Sequence, residues 1–333
     1  MPRRLAVSIA FAVTGLLAVS APALAGQAPP LPTAANGATV ERVATGVTVP
    51  TSFAFVGDTI FAGSGPSEGR GNPPTGLFTL ANGTATKVPG TPKFVYGLAY
   101  RNGRLFVSTG NRILSYRGWN GTRFAGHRVV RRANSKLPGF NGLAFGPDGR
   151  LYTGASLNPR FEHSRNPAQY ANTVLSMRAT GADLKVVARG LRQPFQLAFP
   201  EGATSPYVTD LGQDETRRIP LDQVVVAEQG SNFGFPTCVR FTASSCSRFD
   251  DPLVTLPRHA SPMGIGAIGQ TLYVALFSGL QREKPVVVSF PVAGGTPTPF
   301  LSGFAAPVVG LTTNAGYVYV GDLTGSVYRV RVS

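Results

Sequence analysis

The sequence predicts an all-β fold, a six-bladed β-propeller closed by a strand from its own N-terminal end. Three observations carry this. A two-strand unit recurs six times, as in Asn141-Gly142-Leu143-Ala144-Phe145 followed by Arg150-Leu151-Tyr152-Thr153. Aligned on the residue before the first apolar position, the copies fall at Ser52, Gly97, Gly142, Gln196, Gly264 and Gly310, spaced by 45, 45, 54, 68 and 46 residues. Strand-only units of this length are the period of a propeller blade. The composition agrees: 40 Gly and 28 Pro with 14% charged residues suit short strands and many turns, and no helical periodicity is sustained. Finally, the last unit has no outer strand before the chain stops, and a matching strand stands at the other end.

In chain order, residues 1–25 read as a secretory signal peptide. Met1-Pro2-Arg3-Arg4 is a basic start, Leu5 to Ser20 is apolar, and Ala23-Leu24-Ala25 is a small-x-small cleavage site. The location predicted is secreted or extracytoplasmic. No later stretch has the ~18 apolar residues of a spanning helix. Residues 26–38, rich in Pro, Ala and Gly, read as a flexible lead-in, and 39–333 as the propeller.

Third strands are expected at 76–80, 112–116, 173–177, 217–221, 285–289 and 326–330. Outer strands are expected at 85–88, 126–131, 184–188 and 297–301, with the fourth blade's hidden in its long insertion. Val40-Glu41-Arg42-Val43-Ala44-Thr45-Gly46 matches Leu184-Lys185-Val186-Val187-Ala188-Arg189-Gly190 in pattern, so it is the strand that completes the last blade and protects its edge. Insertions at 157–171 and 224–259 interrupt the even spacing, where function commonly sits.

The formal charge is +15, or +13 without Arg3 and Arg4. The cations are dispersed along the chain, with Arg128, Arg131 and Arg132 the one tight group. That distribution reads as a solvated basic surface and predicts no nucleic-acid partner. Cys238 and Cys246, eight positions apart in an exported chain, predict one disulfide.

The loops entering the innermost strands line one mouth of a propeller channel. Three are plain (49–51, 94–96, 306–308). Three carry polar groups: Phe140-Asn141, Arg192-Gln193 and His259-Ala260-Ser261. A guanidinium, two amides and an imidazole on one side suit a polar or anionic ligand. The alternative for Arg192 is a tie within its own loop.

Five segments resemble the soluble glucose/sorbosone dehydrogenase family. Gly190-Leu191-Arg192-Gln193-Pro194 is similar to its Gly-Leu-Arg-Asn-Pro segment. Asp210 to Glu215, then Gly230-Ser231-Asn232-Phe233-Gly234-Phe235-Pro236, resemble its acidic and Gly-x-Asn-Tyr-Gly-Trp-Pro signatures. Phe145-Gly146-Pro147-Asp148-Gly149 matches its strand turn, and His259-Ala260-Ser261-Pro262-Met263-Gly264 its sorbosone-type entry. The resemblance implies pyrroloquinoline quinone held over the channel and oxidation of a sugar or aldehyde. It implies Arg192 toward the cofactor, with Gln193 in place of the family's Asn beside it, and Glu215 on a calcium ion. Asn141, from the blade-entry loops, joins Arg192 and Gln193 as a cofactor-binding candidate. The family's catalytic His falls at Pro138 here, and Pro accepts no proton. The remaining catalytic candidate is His259. The competing reading is a non-catalytic propeller that binds a carbohydrate or a protein partner.

Overall fold

A computed structural model of the chain describes residues 28–66, 74–155, 168–213, 219–242, 246–281 and 284–332. Residues 1–25, read as a signal peptide, and Glu215 lie outside the described residues. All regular structure among the described residues is β, and none of it is a helix long and apolar enough to cross a membrane.

Two strands precede the repeats, β1 (Thr33–Ala34) and β2 (Val40–Thr45). The first unit is β3 (Pro50–Val56), β4 (Thr59–Ser64), β5 (Leu77–Ala81) and β6 (Gly83–Lys87). The second is β7 (Gly97–Arg101), β8 (Arg104–Ser108), β9 (Arg112–Trp119) and β10 (Phe124–Arg132). The third is β11 (Leu143–Phe145), β12 (Leu151–Gly154), β13 (Thr173–Met177) and β14 (Lys185–Arg189). The fourth is β15 (Pro194–Ala198), β16 (Tyr207–Asp210), β17 (Asp222–Val226) and β18 (Val254–Leu256). The fifth is β19 (Pro262–Ile268), β20 (Thr271–Leu276), β21 (Val286–Pro291) and β22 (Thr298–Ser302). The last is β23 (Val308–Asn314), β24 (Tyr317–Asp322) and β25 (Val327–Arg331). Within each unit, successive strands pair antiparallel.

The inner strands β3, β7, β11, β15, β19 and β23 pack in that order, and β23 returns to β3. Each pair of neighbouring units encloses one apolar cluster. Phe61, Val95 and Leu105 join the first two units, and Phe106, Phe140 and Leu151 the next two. Phe53, Ala62, Tyr319 and Val327 join the last to the first. Continuous burial along the strands follows, as in Thr173–Met177, where all five residues are buried, because both faces of a sheet meet a neighbouring sheet. Buried side chains also bond across these junctions. Thr51 Oγ1 donates to the Val95 carbonyl at 2.6 Å, Asn141 Nδ2 to Pro194 at 2.7 Å, and Thr209 Oγ1 to Met263 at 2.8 Å.

Four inner strands shift register at one repeat position, between Pro50 and Ser52, Pro194 and Leu197, Pro262 and Ile265, and Val308 and Leu311. Three of these strands begin with proline. A residue without N–H is tolerated there because an inner strand is an edge strand.

The structure departs from the sequence reading in two places. The fourth unit's third strand is Asp222–Val226 and not 217–221. Pro220 cannot donate to a ladder, whereas Val224 and Val225 are fully buried. Thr33 and Ala34, inside the stretch read as a lead-in, pair with Ser302 and Leu301, and Ala34 joins the apolar cluster around Leu301 and Tyr328. Strand β2 pairs antiparallel with β25, Val40 opposite Val330, and on its other side runs parallel to β6, Ala44 opposite Gly83. Arg329 adds a 2.6 Å ion pair to Glu41. Because β2 serves two units at once, deleting residues 39–46 should lower the melting temperature by on the order of 10 °C or more. A truncated protein that melts with the full chain would show that β2 carries no such share.

Candidate functional site

The inner strands run from an entry mouth, at Pro50, Pro194 and Pro262, to an exit mouth at Val56, Arg101, Phe145 and Asn314. Near the entry end Gln196 crosses the axis. Its Nε2 donates to the Tyr96 carbonyl at 2.7 Å and the Thr51 carbonyl at 3.2 Å, so the fourth unit grips the first and second. The other five anchor positions hold Ser or Gly, and a Cβ on Gly142 would collide with the Gln196 amide.

On the entry face, the loop before β15 is held by Asp210. The Gln193 N–H donates to Oδ1 at 2.7 Å, and Oδ2 accepts from Gln223 Nε2 at 2.8 Å and from the Arg192 N–H at 3.4 Å. Arg192 is 5% exposed, and its Nη1 lies 3.3 Å from Gln193 Oε1. Its carbonyl accepts from Asn172. Asp222 does similar work for the neighbouring loops, accepting the Gly212 N–H at 2.6 Å and the Ser261 N–H at 2.7 Å. A cavity of about 30 Å³, room for a water, lies between Arg192, Asp210, Gln223, Phe233 and Arg240. Arg240 is itself engaged, 3.3 Å from Asp251 and bonded to the Asp250 carbonyl.

The residues read from sequence are therefore only partly assembled. Arg192 and Gln193 stand together. Asn141 turns its amide to the Pro194 carbonyl and ties two units. His259 sits in a left-handed turn, φ 60°, and does not line the cavity at Arg192. Cys238 and Cys246 form the expected disulfide, Cα atoms 5.7 Å apart, which sets Cys238 against that cavity. Sequence reading missed Asp210, Asp222 and Arg240 as organisers. The Asp210-Leu211-Gly212 segment was the available signal for the first.

The exit mouth is different. A cavity of about 370 Å³ opens there, lined by Phe55, Tyr100, Phe145 and Phe199 with Thr312 and Asn314. The four aromatics occupy one repeat position, three residues beyond the anchor; Ala267 and Thr313 fill the other two places. Gln196 lines its inner end.

No protein-family model matches the sequence, and no curated protein matches it. Solved structures do match over nearly the whole length. A Trichoderma reesei carbohydrate-active enzyme of family AA12 superposes with TM-score 0.74 at 18% identity, over 92% of this chain and 98% of that one. The PQQ-bound aldose sugar dehydrogenase from Streptomyces coelicolor gives 0.71 at 19%, over 92% and 100%. The soluble aldose sugar dehydrogenase from Escherichia coli gives 0.66 at 14%, over 89% and 99%. The fold is that of the soluble aldose sugar dehydrogenases. It is a β-propeller.

The described entry-face residues do not fit pyrroloquinoline quinone, a planar tricarboxylate that needs free cations and a base beside it. Both guanidiniums at the cavity already have partners, Gln196 bars the axis, and Pro138 stands at the expected base. For calcium, no group of three His, Cys, Asp or Glu gathers among the described residues. The oxygens of Asp210 and Asp222 face N–H donors.

Burial pushes the Asp210 carboxyl up to about 6, although hydrogen bonds from Gln223, Gln193 and Arg192 pull it down. An unfolded chain releases this proton near 3.8 and the folded chain keeps it to about 6. The group therefore favours folding most below that window and loses the advantage as pH rises through it. The stability gap between wild type and Asp210→Asn, from urea midpoints, should be widest near about pH 4 and narrow toward about pH 7. A gap that does not change with pH would contradict this.

Proposed function

We propose that the chain is an exported, six-bladed propeller, closed by its N-terminal strand, that binds a carbohydrate in the exit-mouth cavity without oxidising it. The observation that supports this reading is the cavity's lining. A sugar ring has an apolar C–H face and a hydroxylated edge. The aromatic rings suit the first, and Thr312, Asn314 and the unpaired main-chain groups of the inner strands suit the second. A cavity of this size falls within the range of small-molecule sites. In this reading Asp210, Asp222 and the disulfide keep the entry-face loops in place. Glu215 is proposed as the ligand of a calcium ion that orders the loop after Asp210, on the strength of the acidic signature it resembles.

A second reading, PQQ-dependent oxidation of a sugar or aldehyde with Arg192 toward the cofactor and His259 as the base, is favoured by the full-length likeness to a PQQ-bound aldose sugar dehydrogenase.

One experiment separates them. Calorimetric titration with a panel of neutral and acidic oligosaccharides should show binding to wild type and to Arg192→Gln. Ala267→Trp, which fills the exit cavity, should lose it at least tenfold. In parallel, protein incubated with quinone and calcium should not reduce a dye with any aldose. Quinone-dependent dye reduction that falls in His259→Ala would establish the dehydrogenase reading. Carbohydrate binding indifferent to Ala267→Trp would remove the ligand from the exit mouth.

A further inference from the structure

The cations that look dispersed in sequence are gathered by strand register. Residues 69–147 contain no Asp or Glu, while residues 97–132, the second unit, carry eight arginines. Three of these stand in one row. Arg101 on β7 lies directly opposite Arg104 on β8, and Arg104 directly opposite Arg117 on β9. Residues opposed in this way project from the same face of the sheet, and adjacent strands are roughly 4.8 Å apart. The next position outward, opposite Arg117, is Gly126, where even a Cβ would meet nothing within 4 Å.

Like charges placed directly across a ladder repel, and no carboxylate pairs with any of the three among the described residues. The described acids of the adjoining unit are already engaged. Asp183 is held by Arg150 at 2.7 Å, and Asp148 accepts the Tyr152 hydroxyl at 2.9 Å and the Arg150 N–H at 3.0 Å. The row also has a fixed inner end. Arg101 donates to the Gly146 carbonyl at 3.2 Å, and its guanidinium lies 5.4 Å from the centre of the Phe145 ring. Phe145 and Tyr100, the latter 40% exposed, line the exit cavity. The arginines thus lead outward from the rim of a cavity suited to a sugar ring.

We propose that the exit mouth recognises an acidic oligosaccharide. One sugar unit occupies the cavity against Tyr100 and Phe145, and the anionic groups of the following units lie along Arg101, Arg104 and Arg117. The inference rests on the carbohydrate reading of the same cavity and adds the charge of the ligand. Guanidinium pairs equally well with carboxylate and with sulfate or phosphate, so the shared chemistry is a repeating anion on a sugar chain. A glycan is favoured over a single-stranded nucleic acid because the ring-binding aromatics line an enclosed cavity at the row's end. A strand of stacked bases needs them interleaved with the cations.

The test measures affinity for oligogalacturonate, dextran sulfate oligomers and neutral dextran oligomers at several salt concentrations. Wild type should bind one or both anionic probes at least tenfold more tightly than dextran, with affinity falling as salt rises. Which anionic probe binds names the source of the charge, and either result supports the proposal. Arg104→Ser/Arg117→Ser should lose that tenfold preference, keep its dextran affinity, and melt no lower than wild type, since a repulsive pair has been removed. Arg117→Ser alone, at the exposed end, should show a smaller loss of the same sign. Unchanged anion affinity in the double variant, or dextran binding as tight as either acid, overturns the anionic inference and leaves the carbohydrate reading standing. A single-stranded oligonucleotide that binds more tightly than both glycans overturns it in favour of nucleic acid. Failure of every carbohydrate to bind overturns both readings.

Discussion

How closely the inner strands approach one another at the anchor position of the repeat is the constraint on which this molecule depends. A Cβ on Gly97 would lie 2.6 Å from the Leu143 nitrogen, and one on Gly310 would lie 2.7 Å from the Pro50 carbonyl. Backbones that come so near leave no room for side chains at most anchors, which is why the repeat carries Gly there. The one long side chain, Gln196, lies over Gly142 and bonds to two other units. Its amide is buried and paired, and a buried amide left without partners would cost on the order of 1–3 kcal/mol. One Gln among five small residues therefore fits the ring only when all of them are in place.

The same feature divides the molecule chemically. With the axis crossed by Gln196 near the entry end, the large cavity opens at the exit mouth, and the two faces are free to differ. The entry face is a set of loops tied by acids to main-chain N–H groups. The exit face is a ring of aromatics around an open volume. Likeness of fold to sugar dehydrogenases fixes the strands that surround both mouths, and it says little about which mouth is used.

Much of the architecture was legible because repetition multiplies a weak signal. A single apolar pair of strands is ambiguous, but six copies with aligned anchors set a period and place most inner and outer strands within a residue or two. The failures have local causes. The sequence reading puts the third strand of the fourth unit at 217–221 because it starts the insertion at Val224, which lies inside the strand Asp222–Val226. Thr33–Ala34 carried no pattern long enough to read, since two residues make no alternation. The site was less legible than the fold. Asn141 and Arg192 were visible as polar groups on loops, but whether an amide faces a ligand or a neighbouring carbonyl depends on packing that spacing does not encode. The arginine row was hidden for the opposite reason: Arg101, Arg104 and Arg117 are separated in sequence by turns, and only the register of three strands brings them level.

The placement of β2 between β25 and β6 has a consequence for the order of events in the life of the chain. Glu41 meets Arg329 across 288 positions, so β2 waits for a strand synthesised far behind it. Until the C-terminal unit emerges, β2 has only its short parallel contact with β6, and the apolar cluster at Phe53, Tyr319 and Val327 has only one of its walls. Contacts of such high sequence separation are slow to form. A growing chain can build its middle units in succession but cannot reach its full cooperativity while either terminus is held elsewhere.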